Sequence, residues 1–395
     1  MAATEPIKIV VVGGSHGGVT VIKHLLTSIQ SSNKKVEITL VEKRDARHHN
    51  YGAYRALVNA EFGDKVWVPY TTLFGAKSGH KVVQGSLAHV HHHDIVLESG
   101  TSIPFDYLVL ATGSTNPTPS KFDNFLASAD AVAATNQTRA DLIKSKNVVI
   151  IGGGACGCEL AGEIKTAFPD KTVTIVHSGA NLVDYEGFAS SFKSAAKKHL
   201  EGLGVAVVLN ERANIEGLSS KNSIRVGSAT ITTKDGKTIE SDMQFFTIGN
   251  QVDTSYISSL KPEGVEEFDA STLVDQERHV LKIRKTMQLS NEAFPHIFAI
   301  GDCTDFSKVA TGVACTYTAP TVAKNIFQLI SSGPKAKLAN GSVPGGLMIL
   351  STGPNTGVTA LPLFGSKFGN FFSKALKSKD LLLGTTLTDM KVASK

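Results

Sequence analysis

A strand, a glycine-rich turn and a helix follow one another twice in this chain, and this repeat constrains the fold more than any other feature of the sequence. The first copy has an apolar run at 7–12, a glycine turn at 13–18 and an amphipathic segment after it. The second copy has an apolar run at 148–151, a turn at 152–157 and a helical segment that is predicted to end at Phe168. Near-continuous apolar runs are typical of buried parallel strands, so the repeat predicts two α/β units.

Both copies continue into a β-rich section, which extends their similarity beyond the glycine turns. The first has two short strands around a Ser-Gly turn at 95–104 and then the apolar run 106–113. The second has a hairpin at 230–239 and then the run 242–249. Two copies of so long a pattern predict an α/β chain with two Rossmann-like dinucleotide-binding domains and a small C-terminal α+β domain.

We expect these domains to be interleaved along the chain. Residues 1–116 and 256–335 are predicted to form the first dinucleotide-binding domain, and residues 117–255 the second. Residues 336–395 are predicted to form the small domain, which could serve as an interface. A length of 395 residues, with 42% hydrophobic and 19% charged residues, fits a folded chain of two or three domains.

The glycine turns indicate dinucleotide binding because the first N–H groups and the positive dipole end of the following helix face the pyrophosphate. Three glycines allow the tight turn, the close approach of the phosphate and close helix–strand packing. The second copy has all three, at Gly152, Gly154 and Gly157, whereas the first has Ser15 at the middle position. The Ser15 hydroxyl could itself bond a phosphate oxygen. One such turn alone would be weak evidence, but two in the same context predict two sites.

The residue that ends the second strand of each copy bears on which dinucleotide is bound. Glu42 ends the strand of the first copy and is expected to accept hydrogen bonds from a ribose diol; a surface glutamate is the plain alternative. His177 stands at the matching position of the second copy. A carboxylate there would repel a 2′-phosphate, whereas a histidine would not, so NADPH is predicted to be accepted alongside NADH.

Two later segments, 108–114 and 297–303, resemble the internal FAD signatures of the two-dinucleotide-binding-domain flavoproteins, which have a glutathione-reductase-like fold. The resemblance implies FAD in the first domain and NADH or NADPH in the second. It also implies that Asp302 bonds the ribityl chain of FAD. A helix that begins near Pro320 is expected to direct its N-terminus at the flavin, where negative charge develops on reduction.

Three further segments, 47–56, 119–122 and 157–165, resemble the apoptosis-inducing-factor-like, mitochondrion-associated family, also called the ferroptosis suppressor protein family. The likeness covers nearly the whole chain. It implies an NAD(P)H:quinone oxidoreductase with non-covalent FAD. It also implies that Glu159 positions the nicotinamide and that Lys121 lies near the flavin. The alternatives are an exposed helix acid for Glu159 and a surface lysine for Lys121.

The glycine turns and the two resemblances together predict a set of cofactor-binding positions. In the first domain these are Gly13, Gly14, Ser15, Gly17, Gly18, Glu42, Lys43, His49, Leu87, Ala111, Thr112, Gly113, Asp302, Thr318 and Ala319. In the second domain they are Gly152, Gly154, Gly157, His177 and Gly249.

The cysteines argue against an internal disulfide as the electron acceptor. None of the four forms a C-x-x-C pair, and Cys156 and Cys158 lie on a glycine turn where bridging geometry is poor. Their thiols could be somewhat acidic near the helix N-terminus, although packing is the simpler role. Electrons are therefore expected to reach a diffusible acceptor, and the resemblance favours a quinone. A ferredoxin-like protein, oxygen or a dye-like compound is an alternative.

A non-enzymatic role is the second alternative, as an apoptosis-inducing-factor-like redox effector or a nucleic-acid-binding death factor. Nucleic acid is not expected as a partner, because the lysines are scattered and the net charge is only +5. No metal site is expected either. His89, His91, His92, His93 and Asp94 form a cluster, but alternation along a strand would place only some of them on one face.

The sequence also bears on location and assembly. The first apolar strand begins close to the N-terminus, which predicts no signal peptide, and Ala2 predicts no N-myristoylation. A cytoplasmic protein is expected, with possible contact to a lipid droplet, the mitochondrial outer membrane or the plasma membrane. A segment at 368–377, rich in phenylalanine and lysine, could touch a membrane surface, form a homodimer interface or belong to the core.

Overall fold

The computed structural model describes residues 5–75, 78–214, 223–307, 312–362 and 367–390. The first part of the chain contains β1 (Ile7–Val12), α1 (His16–Gln30), β2 (Val36–Glu42), β3 (Ala46–His48), α2 (Ala53–Val58), α3 (Ala60–Gly63), β4 (Trp67–Pro69), β5 (Lys81–Gln84), β6 (Leu87–Val90), β7 (Asp94–Leu97), β8 (Ser102–Pro104) and β9 (Tyr107–Leu110). The second part contains α4 (Ser128–Lys144), β10 (Asn147–Ile151), α5 (Ala155–Ala167), β11 (Thr172–Val176), α6 (Ser190–Gly202), β12 (Val205–Val208), β13 (Ile224–Thr232) and β14 (Thr238–Phe246).

The remaining elements include a return to the first sheet and a C-terminal unit. The return comprises β15 (Val274–Asp275), β16 (Val280–Leu281), β17 (Ile297–Ala299) and α7 (Gly312–Ser332). The C-terminal unit comprises β18 (Met348–Ser351), β19 (Gly357–Ala360), β20 (Lys367–Phe368), α8 (Asn370–Ser373), a π-helical turn at 374–378 and α9 (Leu383–Met390).

The first large sheet is parallel and has the strand order β17-β9-β1-β2-β5, with β1 in the centre. Successive residues of β1 point to opposite faces, as the pleat requires. Val11 packs in the core that α1 and α7 cover, whereas Val10 packs in the core beneath the small sheet β6-β7-β8. Because β17 pairs with β9, residues almost 190 positions apart share one sheet edge. The predicted domain boundaries themselves stay predictions.

The second large sheet repeats this plan around β10, in the order β12-β11-β10-β14-β13. The strands β10, β11, β12 and β14 are parallel, and β13 is antiparallel to β14. The predicted hairpin is the end of β13 and the start of β14, and the predicted run after it is the continuation of β14, which pairs with the central strand β10. The fold is therefore α/β with two Rossmann-like units, as the repeat predicts.

Two predicted helix starts are wrong, whereas the segment 368–377 was predicted to contain a helix and does so, with α8 beginning at Asn370 after the N-cap Gly369. Helix α5 begins at Ala155, within the predicted turn 152–157, rather than at Cys158. Helix α7 extends back at least to Gly312, so Pro320 lies inside it. Proline lacks the N–H that would bond the carbonyl of Thr316, but both residues are exposed, so water can solvate that carbonyl.

The C-terminal unit packs on the second large sheet rather than standing apart from it. Its strands β18, β19 and β20 form an antiparallel sheet. Leu350 and Val358 of this sheet share one buried core with Leu160 of α5 and Leu200 of α6. The unit also contacts α1, which covers the first large sheet, because Asp389 in α9 accepts a hydrogen bond from Lys23 of α1 at 2.8 Å.

One buried ion pair joins all three parts of the chain. Arg55 of α2 donates Nε to Glu163 Oε2 at 2.8 Å and Nη2 to Glu163 Oε1 at 2.6 Å. Arg55 Nη1 also donates to the carbonyl oxygens of Ser378 and Lys379, at 3.0 and 3.3 Å. The side chains of Arg55 and Glu163 are only 5% and 3% exposed. This bidentate pair fixes the orientation of α2, α5 and the C-terminal unit relative to one another.

No membrane-crossing segment occurs among the helices of the described residues, none of which combines enough length with enough apolar character.

The Arg55–Glu163 pair leads to a stability prediction. Glu163→Ala leaves a buried guanidinium without its counter-charge, so we expect a loss of about 3–5 kcal/mol in the free energy of unfolding. Urea unfolding followed by circular dichroism measures this loss. In the double variant Arg55→Met/Glu163→Leu no unpaired charge remains, and we expect part of the stability to return. A Glu163→Ala loss below about 1 kcal/mol would contradict the role assigned to the pair.

Candidate functional site

The two glycine turns have the same local geometry. Gly13 and Gly152, which follow β1 and β10, have φ values of +102° and +122°, which favour glycine. A Cβ on Gly18 would lie 1.9 Å from the carbonyl oxygen of Gly13, and a Cβ on Gly157 would lie 1.9 Å from that of Gly152. Any side chain there would push the helix off the strand. Each turn therefore brings a helix N-terminus close to the carboxyl end of a central strand, as dinucleotide binding requires.

The residues that end β2 and begin the loop after β11 hold the turns in equivalent ways. Glu42 Oε2 accepts a hydrogen bond from the Gly14 N–H at 2.6 Å, and its Oε1 accepts one from the Arg44 N–H at 3.2 Å. In the second copy, His177 Nδ1 accepts a hydrogen bond from the Gly153 N–H at 3.1 Å. A buried carboxylate in one turn thus corresponds to an imidazole in the other.

This hydrogen bond determines the charge of His177. An Nδ1 that accepts from a backbone N–H carries no proton, so the imidazole is neutral with its proton on Nε2. Burial also lowers the pKa of His177 below its usual value. The second turn therefore presents neither the negative charge of a carboxylate nor a fixed positive charge, and it has no built-in repulsion of a 2′-phosphate.

Two tyrosines at the turns were not expected from the sequence. Tyr70 donates its hydroxyl to the Gly14 carbonyl at 2.8 Å, and Tyr185 accepts the Ala155 N–H at the start of α5 at 3.0 Å. Burial raises the pKa of Tyr185 to about 12, so its phenol is neutral. Each tyrosine comes from a loop about 30 or more residues after its glycine turn, and no local sequence signal marks that contact.

The surroundings of the first turn fit an anionic dinucleotide. Arg47 of β3 is 2% exposed, and its Nη1 is buried with no hydrogen-bond partner within the described chain. The same holds for Asn50 Oδ1 and His49 Nε2, while Asn50 Nδ2 donates to Ser15 Oγ at 3.5 Å. A buried guanidinium without a partner is costly unless an anion binds it. Arg47 was not among the predicted positions, although an arginine within an otherwise buried strand is a usable signal.

Other predicted positions of the first domain already have partners. Lys43 Nζ donates to Asp123, at 3.3 Å to its carbonyl and 3.5 Å to its carboxylate. His49 Nδ1 lies 2.9 Å from the hydroxyl of Thr386 in α9. Leu87 is half-buried against the core beneath the first sheet. These contacts neither confirm nor contradict a cofactor role for the three side chains, which stays a prediction.

The segment after β9 runs beside the first glycine turn. The carbonyl of Ala111 is so close to Gly13 that a Cβ there would lie 2.2 Å from its oxygen. Thr112 shares a hydrogen bond of 2.9 Å with the hydroxyl of Tyr256. Gly113 has a φ of +69°, with no neighbouring atom within 4 Å of the position that a Cβ would take. The backbone at Gly113 therefore borders open space next to the first glycine turn.

Lys121, Ser114 and Asp302 form a polar cluster where β9 and β17 end. Lys121 Nζ donates to the Ser114 carbonyl and hydroxyl oxygens, both at 2.7 Å, and lies 3.4 Å from Asp302 Oδ2. Ser114 Oγ donates to the same Asp302 oxygen at 2.7 Å. The Lys121 side chain is 16% exposed, so the geometry excludes a free surface lysine. Ligands of open α/β sheets bind at this carboxyl edge.

Thr318 and Ala319 are not at a helix start, contrary to prediction. Both are buried in the interior of α7, at 2% and 0% exposure. Thr318 Oγ1 donates to the Ala314 carbonyl one turn earlier, at 2.8 Å. Because their N–H groups lie within the helix, the expectation of a helix N-terminus at these residues is wrong.

Glu159 lies in α5, at the junction with the C-terminal unit. Its Oε1 accepts hydrogen bonds from Lys377 Nζ at 2.7 Å and from the Ser351 N–H at 3.1 Å. Lys377 also donates to the Ile349 carbonyl and lies 5.7 Å from the centre of the Tyr51 ring. Glu159 is therefore not an exposed helix acid. Its partner Lys377 was not predicted, since 218 residues separate the two.

The remaining predicted positions lie around the second turn or are cysteines. Gly249, which follows β14, has a φ of +98° and allows the chain to turn away from the sheet. All four cysteines are free. Cys158 is buried in the core, as the favoured packing role predicts, and burial raises the pKa of its thiol, which contradicts the alternative of an acidic thiol.

Comparison with known proteins identifies the family to which this chain belongs. The family model described as "Pyridine nucleotide-disulphide oxidoreductase" matches residues 7–328. The chain is 32% identical to apoptosis-inducing factor homolog B of Dictyostelium discoideum, over 98% of this chain and 97% of that protein. It is 30% identical to ferroptosis suppressor protein 1 of Mus musculus, again over 98% of this chain and 97% of that protein.

Two solved structures have the same fold at lower identity. One is the sulfide:quinone oxidoreductase from Aquifex aeolicus, with a TM-score of 0.72 and 16% identity over 98% of this chain and 92% of that chain. The other is NDH2 from Plasmodium falciparum in complex with NADH, with a TM-score of 0.67 and 14% identity over 98% of each chain. The chain therefore belongs to the pyridine nucleotide-disulphide oxidoreductase family, in the branch of the apoptosis-inducing factor homologs and ferroptosis suppressor proteins, and is an NAD(P)H-dependent flavoprotein oxidoreductase.

Proposed function

We propose that the protein is an NAD(P)H:quinone oxidoreductase that binds FAD non-covalently at the first glycine turn and NADH or NADPH at the second. The observation that carries the proposal is the pair of matched turns without a redox-active cysteine pair beside either. Cys158 is fully buried, and Cys156 is separated from it by a single residue. Electrons must therefore leave to an external acceptor. A quinone is favoured because a protein with the same fold is named a sulfide:quinone oxidoreductase.

The residues of the first domain match the parts of FAD. Glu42 is held rigidly by two backbone N–H groups and still offers carboxylate lone pairs to a ribose diol. Arg47 supplies a buried guanidinium, whose Nη1 has no partner among the described residues, for the pyrophosphate. FAD held by these residues would supply the two-electron redox chemistry between the nicotinamide and the acceptor. Ser15, Asn50 and Asp302 are polar groups at the same edge of the sheet.

Lys121 and Asp302 form the electrostatic part of the site. Lys121 is fixed by three oxygen contacts in a half-buried cluster, so it does not need to reorganise when charge changes nearby. A fixed cation there stabilises negative charge that develops at the carboxyl edge of the sheet. Glu159, fixed by Lys377 and Ser351, is proposed to orient the nicotinamide end of the donor from helix α5 of the second domain.

The overall proposal is tested on purified, tag-free protein. We expect a yellow protein that releases FAD on denaturation and that is bleached anaerobically by both NADH and NADPH. Addition of a short-chain quinone should restore the colour. A colourless protein that added flavin cannot reconstitute would contradict the cofactor assignment. A reduced protein that reacts with oxygen or a ferredoxin, but not with any quinone, would contradict the acceptor.

The predicted acceptance of both NADH and NADPH can be tested by a substitution at His177. His177→Glu places a carboxylate where the first copy has Glu42, close enough to accept the Gly153 N–H. We expect kcat/KM for NADPH to fall by about tenfold or more, which corresponds to ~1.4 kcal/mol of repulsion, with a smaller change for NADH. An equal fall for both nucleotides would indicate damage to the turn rather than selection by charge.

Lys121 provides a second functional prediction. Lys121→Met keeps the length of the side chain but removes its charge, so we expect kcat for quinone reduction to fall about 10–100-fold, as loss of ~1.5–3 kcal/mol would produce. Flavin content and the KM for the nucleotide should stay close to those of the wild type. Lys121→Arg keeps the charge and should retain most of the activity. An unchanged kcat in Lys121→Met would show that the lysine has only a structural role.

A peripheral membrane contact is proposed for the C-terminal unit. Phe371 and Leu376 are 77% and 44% exposed on adjacent turns, next to the exposed cations Lys374 and Lys379. Exposed aromatic and aliphatic groups beside lysines fit the boundary between acyl chains and anionic headgroups. Such a contact would give the enzyme access to a membrane-dissolved quinone. A second copy of the chain could cover the same face.

Vesicle co-sedimentation tests this contact. We expect wild-type protein to bind vesicles that contain phosphatidylserine and to lose most of that binding in Phe371→Ser/Leu376→Ser. Ile143→Ser is the matched control, because Ile143 is 57% exposed on the distant helix α4. Equal binding by all three proteins would contradict the assignment. If the double variant instead converts a dimer to a monomer in light scattering, the face is a homodimer interface.

A further inference from the structure

Three histidines from two distant segments meet at one point on the first domain. His92 and His93 lie in the turn between β6 and β7, and His296 directly precedes β17, 204 residues after His92. One ring nitrogen from each of the three lies within 4.8 Å of the others. The ring centres are 4.5, 4.8 and 4.9 Å apart. Strand alternation separates the histidines within the segment 89–93, which predicts no metal site, but His296 comes from a distant part of the chain.

Hydrogen bonds orient two of these rings. His296 Nε2 lies 2.6 Å from the carbonyl oxygen of His92, and a carbonyl can only accept, so Nε2 carries the proton. The Nδ1 lone pair of His296 is then free. The ring of His92 is bonded to the backbone of Lys261, and its Nδ1 is buried with no partner within the described chain. One nitrogen that donates to a backbone carbonyl and one free lone pair is the arrangement of metal-binding histidines.

Burial lowers the pKa of His296 and of His92, and the attraction of Asp106 and Glu263 opposes this effect only in part. Neutral imidazole is the form of histidine that binds a metal ion. Three imidazoles suit borderline divalent ions such as Zn²⁺, Ni²⁺ or Cu²⁺. Ligand distances of about 2.0–2.1 Å require the nitrogens to move closer by roughly 1–1.5 Å. His93 is exposed, so a rotation of its side chain can make this adjustment.

We propose that His92, His93 and His296 bind one Zn²⁺ ion, or another divalent ion of the same ligand preference, with water completing the coordination. The ion would tie the β6–β7 turn to the start of β17. His296 lies at the amino end of β17, whereas Asp302 follows the carboxyl end of the same strand. The proposed metal site is therefore separate from the proposed redox centre. The bound ion therefore stabilises the first domain and has no role in electron transfer.

The test uses flavin-loaded protein without a polyhistidine tag, treated with EDTA and then dialysed. We expect isothermal titration with Zn²⁺ to give one site per chain. Saturating Zn²⁺ should raise the melting temperature by about 2–4 °C, and EDTA should reverse the shift. His93→Ala should abolish both effects, and the flavin spectrum reports whether this exposed-site variant is folded. His296→Asn provides a second, independent disruption.

Two control variants separate this site from other zinc ligands. His89 is exposed on the same hairpin but bonds Ser259, outside the cluster, so His89→Ala should bind Zn²⁺ like the wild type. Cys156→Ser should also retain binding, which excludes the half-buried thiol. The proposal is overturned if the wild type binds no Zn²⁺, or if His93→Ala and His296→Asn bind it as tightly as the wild type does.

Discussion

The buried pair of Arg55 and Glu163 is the interaction on which the arrangement of the molecule depends. It connects a helix of the first domain to a helix of the second, and Arg55 also bonds two carbonyls of the C-terminal unit. Two such charges are costly to bury unless each satisfies the other, so the three parts must come together in one geometry. That geometry places Lys377 on Glu159, four residues before Glu163 on the same helix. The ion pair and the proposed nicotinamide site are thus built on one element.

The two glycine turns have the same backbone conformation but are proposed to bind two different dinucleotides. In both, the second glycine N–H donates to a side chain at the end of the neighbouring strand, the carboxylate of Glu42 in β2 or the imidazole of His177 directly after β11. The backbone geometry is shared because strand, turn and helix must meet closely in either case. The chemical difference lies in the side chain, because a carboxylate accepts from a ribose diol and repels phosphate, whereas a neutral imidazole does neither strongly.

Local patterns predicted the glycine turns and the central strands, because each depends on a few adjacent residues, whereas Asp302 was implied by the family resemblance of the segment 297–303. The prediction for α7 was wrong because a proline usually marks an early helical position, whereas here it lies on a solvated face within a long helix. Tyr70, Tyr185 and Lys377 were missed for a different reason. Each contacts its site from a distant segment of the chain. Neither the periodicity of apolar residues nor the spacing of motif residues indicates such contacts.

The sequence by itself determined that two Rossmann-like units exist and where each dinucleotide turn lies, because glycine spacing and apolar runs are properties of contiguous residues. It also ruled out a C-x-x-C redox pair. Only the tertiary structure decided that Lys121 is bonded to Ser114 and Asp302, that Glu159 is paired with Lys377, and that His296 joins His92 and His93. Those contacts arise from the packing of sheets and helices that are far apart in the chain, and their energy depends on burial, which no local pattern specifies.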